Sequence, residues 1–143
     1  MINKILVLAP DAIPGEDFIL QDNIDGLGPF IAFWDEEKIG RIMPERAELE
    51  SITPAQIDNL KLILWRRSVI VSRYQMAMAM NKAGILDTVK TLIASAPVAT
   101  RLVWSEKTYF RRLGKLATAL ANIIPLTESQ LDQLFKVAEQ EEP

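Results

Sequence analysis

Thr53-Pro-Ala-Gln56 is the stretch on which the reading of the fold turns. A threonine followed three residues later by glutamine, with proline at the first helical position, is a capping box. The Thr53 hydroxyl can accept from the third amide while the Gln56 side chain reaches back to the cap. A long helix is therefore expected to start here. Its apolar positions run through Ile57, Leu60, Leu64, Tyr74 and Met78 to a stop at Gly84. About thirty residues is long for a globular helix, so a break is expected near Arg66-Arg-Ser68. Downstream, Leu86, Val89, Leu92 and Ile93 repeat at helical spacing within Ile85 to Ala96, and Pro97 ends that helix. A third helix fits Val98 to Ile124, with Gly114 dividing it. Thr127-Glu-Ser-Gln130 is a second capping box and opens a helix with Leu131, Leu134, Phe135 and Ala138 on one face. The tail from Glu139 to Pro143 is expected to fray.

Upstream of Thr53 the texture changes. Lys4 to Leu8 is a short apolar run ended by Pro10, and Asp17 to Gln21 and Pro29 to Trp34 are short aromatic and aliphatic segments. Between the last two, Asp22-Asn-Ile-Asp-Gly-Leu-Gly28 gathers residues that supply the positive φ angles of a hairpin connection. The expected fold class is α+β: a small N-terminal antiparallel β meander of two or three strands, then a helical bundle of four to five helices. The expected units are residues 1–52 and 53–143. A sheet this small is marginal alone and should lean on the helices or on a partner.

Charge follows the same division. Residues 1–52 carry 4 basic and 11 acidic side chains, residues 53–123 carry 11 and 3, and residues 124–143 carry 1 and 5, giving −7, +8 and −4 and a total of −3. Such blocks suit units that attract each other or face differently charged partners. With 143 residues, 49% of them hydrophobic, the chain is long enough to bury a substantial core. It has no cysteine and no histidine. Cysteine nucleophiles, Ser-His-Asp triads, histidine bases, zinc fingers and Cys-ligated clusters are excluded together. No leader is expected, because the apolar run before Pro10 and Asp11 is too short, and no membrane span, because the runs near Leu62 to Trp65 and Val69 to Val71 are interrupted by arginines.

The remaining candidates for chemistry are thin. Asp22, Asp25 and Gly26 resemble part of a calcium loop, but the spacing lacks the downstream bidentate glutamate. Neighbouring acids such as Glu16 with Asp17, or Asp35 with Glu36 and Glu37, point to opposite faces in a strand and read as solvated surface. The glycines form no phosphate loop. No enzyme activity, metal or cofactor is expected. The basic middle is a sharper signal: Trp65-Arg-Arg67, Arg73-Tyr74 and Tyr109-Phe-Arg-Arg112 interleave aromatics with arginines, as stacking on single-stranded nucleic acid would require. The same aromatics can serve a core with the arginines lying over it, and a sequence pI near 5.0 is not that of a dedicated nucleic-acid binder. Met76-Ala-Met-Ala-Met80 places Met76 and Met80 on one helix face, suited to core packing or to a partner groove.

Taken in order, these segments resemble a family. Asp17-Phe-Ile-Leu-Gln-Asp-Asn-Ile-Asp-Gly-Leu-Gly-Pro-Phe-Ile-Ala-Phe-Trp34 resembles the N-terminal unit of small proteins encoded beside the tail-fibre genes of tailed bacteriophages. Its marks are the aromatic, the Gln-Asp turn, the Gly-Pro pair and the closing tryptophan. Ser72-Arg-Tyr-Gln75, Ala83-Gly-Ile-Leu-Asp-Thr-Val89, Trp104-Ser-Glu-Lys-Thr-Tyr-Phe-Arg-Arg112 and Leu126-Thr-Glu-Ser-Gln-Leu-Asp-Gln-Leu-Phe135 are similar to the helical half of many such proteins. The chain departs from the pattern at Met43-Pro-Glu-Arg-Ala-Glu-Leu49, where a Pro-Thr-acid segment is more usual.

The resemblance implies a fibre-assembly chaperone or small baseplate component. Such a protein binds a tail fibre or tailspike in the host cytoplasm, contacts other baseplate proteins or copies of itself, and in some phages stays on the virion tail. The alternative carried beside it is a nucleic-acid-binding adaptor using the basic helical segment. For partner binding, the aromatic-rich strands nominate Phe18, Phe30, Phe33 and Trp34, by strand addition to the partner's sheet. The helical half nominates Trp104, Tyr109, Phe110, Arg111 and Arg112, since aromatic residues and arginine dominate interface energetics.

Overall fold

A computed structural model describes residues 1–142. The fold is α+β, with a two-stranded antiparallel hairpin near the N-terminus followed by helices. The chain divides into two compact units, Met1–Ile63 and a second beginning at Leu64. No helix among the described residues is long and apolar enough to cross a membrane.

The first unit holds α1 (Ile2–Leu8), β1 (Phe18–Gln21), β2 (Phe30–Trp34), α2 (Glu36–Ile39), α3 (Arg46–Ser51) and the first turns of α4 (Pro54–Ser68). Its core is Ile5, Ala9, Ala12, Phe18 and Leu49, with Leu20, Ile31 and Trp34 packed against it. The run Lys4 to Leu8, expected among the strands, is helical. In so short an apolar run the two periods cannot be told apart, and here burial is one-sided, with Ile5 and Ala9 inward at helical spacing. Arginines stitch this unit together. Arg41 donates to the Leu8 carbonyl at 3.3 Å and pairs with Glu48, Arg46 donates to the Leu27 carbonyl, and the Trp34 indole donates to the Arg41 carbonyl at 2.8 Å.

The Thr53 cap forms as expected: the Gln56 amide donates to Thr53 Oγ1 at 3.3 Å and the Thr53 amide to Gln56 Oε1 at 2.9 Å. The helix then breaks after Ser68. Val69, Ile70 and Val71 favour an extended backbone, because β-branched side chains crowd a helix, and β3 (Ile70–Ser72) pairs antiparallel with β4 (Tyr109–Arg111). A third capping box, Ser72 with Gln75, opens α5 (Arg73–Lys82). Then follow α6 (Leu86–Ala94), α7 (Val98–Glu106), α8 (Lys115–Ile123) and α9 (Glu128–Glu139). The third expected helix is thus divided by β4. Gly114 caps α8, and a Cβ there would lie 3.1 Å from the Arg111 carbonyl oxygen. The second unit closes over Val71, Met76, Met80, Val89, Phe110, Leu120 and Phe135, among others. Of the tail expected to fray, Glu141 is held, its carbonyl accepting from Gln75 Nε2 at 2.8 Å and its carboxylate pairing with Lys82, while Pro143 lies outside the described residues.

Candidate functional site

The hairpin β1–β2 has two unlike faces. Its register pairs Phe18 with Trp34, Ile19 with Phe33, Leu20 with Ile31 and Gln21 with Phe30, with an irregularity between Ile19 and Leu20 that leaves Ala32 without an opposite number. A bulge of this kind resets the alternation, so both Ile31 and Trp34 face the core although three positions separate them. Phe18 and Trp34 meet with ring centroids 6.0 Å apart. The other face is turned out: Ile19, Phe30 and Phe33 are 46%, 39% and 45% exposed. At the tip, Ile24 and Leu27 are more exposed still. Asp22 Oδ1 accepts from the Ile24 amide and Asp25 Oδ1 from the Leu27 amide, each at 2.9 Å. Ile24 itself sits at a φ of 59°, a left-handed conformation that a β-branched residue adopts only under strain.

The edges of this hairpin differ as well. The Gly15 amide donates to the Phe18 carbonyl at 2.8 Å, which covers the start of β1. Among the described residues no strand pairs with the far edge of β2. A cleft of about 280 Å³ opens beside the start of β2, lined by Met1, Pro29, Phe30, Ile31 and Met43 among others. Below the hairpin, Asp17 is buried, accepts from the Ile13 amide at 2.8 Å and pairs with Lys38. The Lys38 ammonium and the Ile13 amide hold the Asp17 carboxyl below its ordinary value, against the opposing effect of burial.

In the second unit, β4 sorts its side chains by strand alternation. Phe110 points inward and meets Trp104 edge-on at 5.4 Å, while Tyr109 and Arg111 point out. The Tyr109 ring lies 5.8 Å from the Arg111 guanidinium and 5.9 Å from the Lys107 ammonium. Arg112 turns inward again and donates to Asp132 at 2.7 Å and to the Glu128 carboxylate at 2.7 Å. Arg66 reaches the same Asp132 with bonds of 3.0, 3.1 and 2.6 Å. Burial alone would raise the Asp132 carboxyl, but the hydrogen bonds and charges of Arg66 and Arg112 outweigh it and hold the group below its ordinary value.

The nine residues nominated from sequence therefore do not form one surface. Phe30 and Phe33 lie together on the outer face of the hairpin, and Tyr109 with Arg111 lie on the outer face of β3–β4. Trp34 and Trp104 are half-buried. Phe18, Phe110 and Arg112 are interior side chains, a correction to their nomination: the first two fill cores and the third neutralises a buried aspartate. Ile19, Ile24, Leu27 and Met43 are apolar, exposed and were not nominated. Ile19 was legible, since it alternates with Phe18 along one strand.

Two of the arginines that suggested nucleic acid, Arg66 and Arg112, are held by Asp132 and Glu128, and Arg73 donates to the Ser105 carbonyl at 3.0 Å. Comparison of the chain with known protein families, with curated proteins and with solved structures returned no match.

Proposed function

We propose that this chain is a tail-fibre assembly chaperone or small tail component of a tailed bacteriophage, which binds a fibre or tailspike protein in the host cytoplasm during assembly. The observation that carries the reading is the outer face of the N-terminal hairpin, where Ile19, Phe30 and Phe33 stand exposed on a sheet of only two strands. Apolar side chains clustered on such a face mark an interaction site. The likeness of both halves to proteins encoded beside tail-fibre genes supplies the partner's class. No catalytic step and no cofactor belongs to this reading. Tyr109, Arg111 and Lys107 offer a second, cationic surface for other baseplate proteins.

The test is expression of the fibre protein encoded beside this chain, alone and together with it. Soluble fibre that co-elutes with the chain in fixed ratio is the expected result. Fibre that folds equally well alone and never associates would overturn the reading. The nucleic-acid alternative would instead show binding that falls steeply with salt.

A further inference from the structure

We infer that the far edge of β2 is a docking edge for an extended segment of another polypeptide, one in which apolar residues alternate with lysine or arginine. The inference rests on the chaperone reading only for the identity of that polypeptide. Three features of the first unit select the occupant. A strand edge presents a row of backbone donors and acceptors that another extended chain satisfies, as a helix or a small molecule does not. The far edge of β2 has no such neighbour among the described residues, whereas the start of β1 is covered by Gly15.

The side chains that an added strand would meet come next. On the outer face the added strand extends the row Ile19–Phe33, and cross-strand pairs of aliphatic and aromatic residues are the unit by which sheets grow. Backbone pairing then supplies affinity, and the apolar row on the outer face selects a segment whose apolar residues share one face.

Charge decides between the remaining occupants. Asp22, Asp25, Glu36 and Glu37 frame the hairpin at its two ends, and none of them is in an ion pair among the described residues. Residues 1–52 sum to −7. A second copy docking by the same edge would set that charge against itself, which disfavours a symmetric pair. A segment with basic residues pointing to the fringe is attracted instead.

The experiment measures fluorescence polarisation of a labelled peptide of alternating lysine and valine, long enough to span the five residues of β2, titrated with the full chain. A matched peptide N-methylated at consecutive central residues cannot pair along either edge, and a glutamate-valine peptide reverses the charge. The lysine-valine peptide is expected to bind about tenfold more tightly than either, and Phe33→Lys is expected to weaken it about tenfold. Equal binding of the N-methylated peptide would overturn the edge. Equal binding of the acidic peptide would overturn the basic occupant, as would a peptide-free dimer of the chain that Phe33→Lys abolishes. Fibre capture that persists while the N-methylated peptide binds equally well would sink this inference and leave the chaperone reading standing. Specific peptide binding without fibre capture would do the reverse.

Discussion

The two units reach order by different routes. The unit beginning at Leu64 gathers a core cluster of fifteen buried apolar residues and sets a buried aspartate between two guanidinium groups, whereas the core cluster of Met1–Ile63 holds five. The larger core encloses Arg112, while Ile70, Val98, Leu102 and Leu113 stay exposed around it. The smaller unit keeps Ile19, Phe30 and Phe33 outside, although burying such side chains is worth about 1.5–3 kcal/mol each. Beside them, at the hairpin tip, Ile24 is held at positive φ.

The contrast can be broken or sharpened at named residues. The largest effect is expected at Asp132: Asp132→Ala leaves Arg66 and the buried Arg112 facing one another with only the exposed Glu128 carboxylate between them. It should cost about 3–5 kcal/mol in urea unfolding. The same group gives the second unit an acid limit. Its carboxyl is held below the ordinary 3.8, so its contribution is fully present above that value and is lost as pH falls through the depressed one. In Asp132→Asn this acid-dependent loss should be diminished, a result read from unfolding midpoints below pH 4 against those at pH 7.

In the first unit, Phe18→Ala removes the largest side chain of a five-residue core and should cost about 3 kcal/mol. Amide exchange across β1 and β2 measures it locally. A smaller loss, about 1 kcal/mol, is expected for Thr127→Ala, which removes the cap of α9. Least of all, Phe33→Lys should shift stability by no more than about 0.5 kcal/mol, because the ring lies on the open face. A large destabilisation there would place Phe33 in the fold and remove the contrast between the units.

The elements that announce themselves locally were legible. Thr53 with Gln56 and Thr127 with Gln130 mark helix starts, and both boxes form. Ser72 with Gln75 carries the same signature, yet helical periodicity ran straight across it. What interrupts that periodicity is a pairing of Val71 with Phe110, far apart in sequence and set by tertiary structure. Once β4 is a strand, its period of two sends Phe110 and Arg112 inward; read as helix, the same residues looked like a mixed aromatic and basic surface. Lys4 to Leu8 was too short for its period to show. On the hairpin, alternation alone predicted that some aromatics face in, but the bulge at Ala32 decides which. Bulges leave no mark in a residue pattern as short as this one.

The central claim is that the outer face of the hairpin, rather than the cationic face of β3–β4, holds the fibre. It is tested most directly by co-expressing the fibre protein with the native chain, with Phe33→Lys and with Tyr109→Lys, and weighing the complexes by light scattering after size-exclusion chromatography. The account predicts a stoichiometric complex with the native chain and with Tyr109→Lys, and none with Phe33→Lys. A complex that survives Phe33→Lys and is lost with Tyr109→Lys would contradict it.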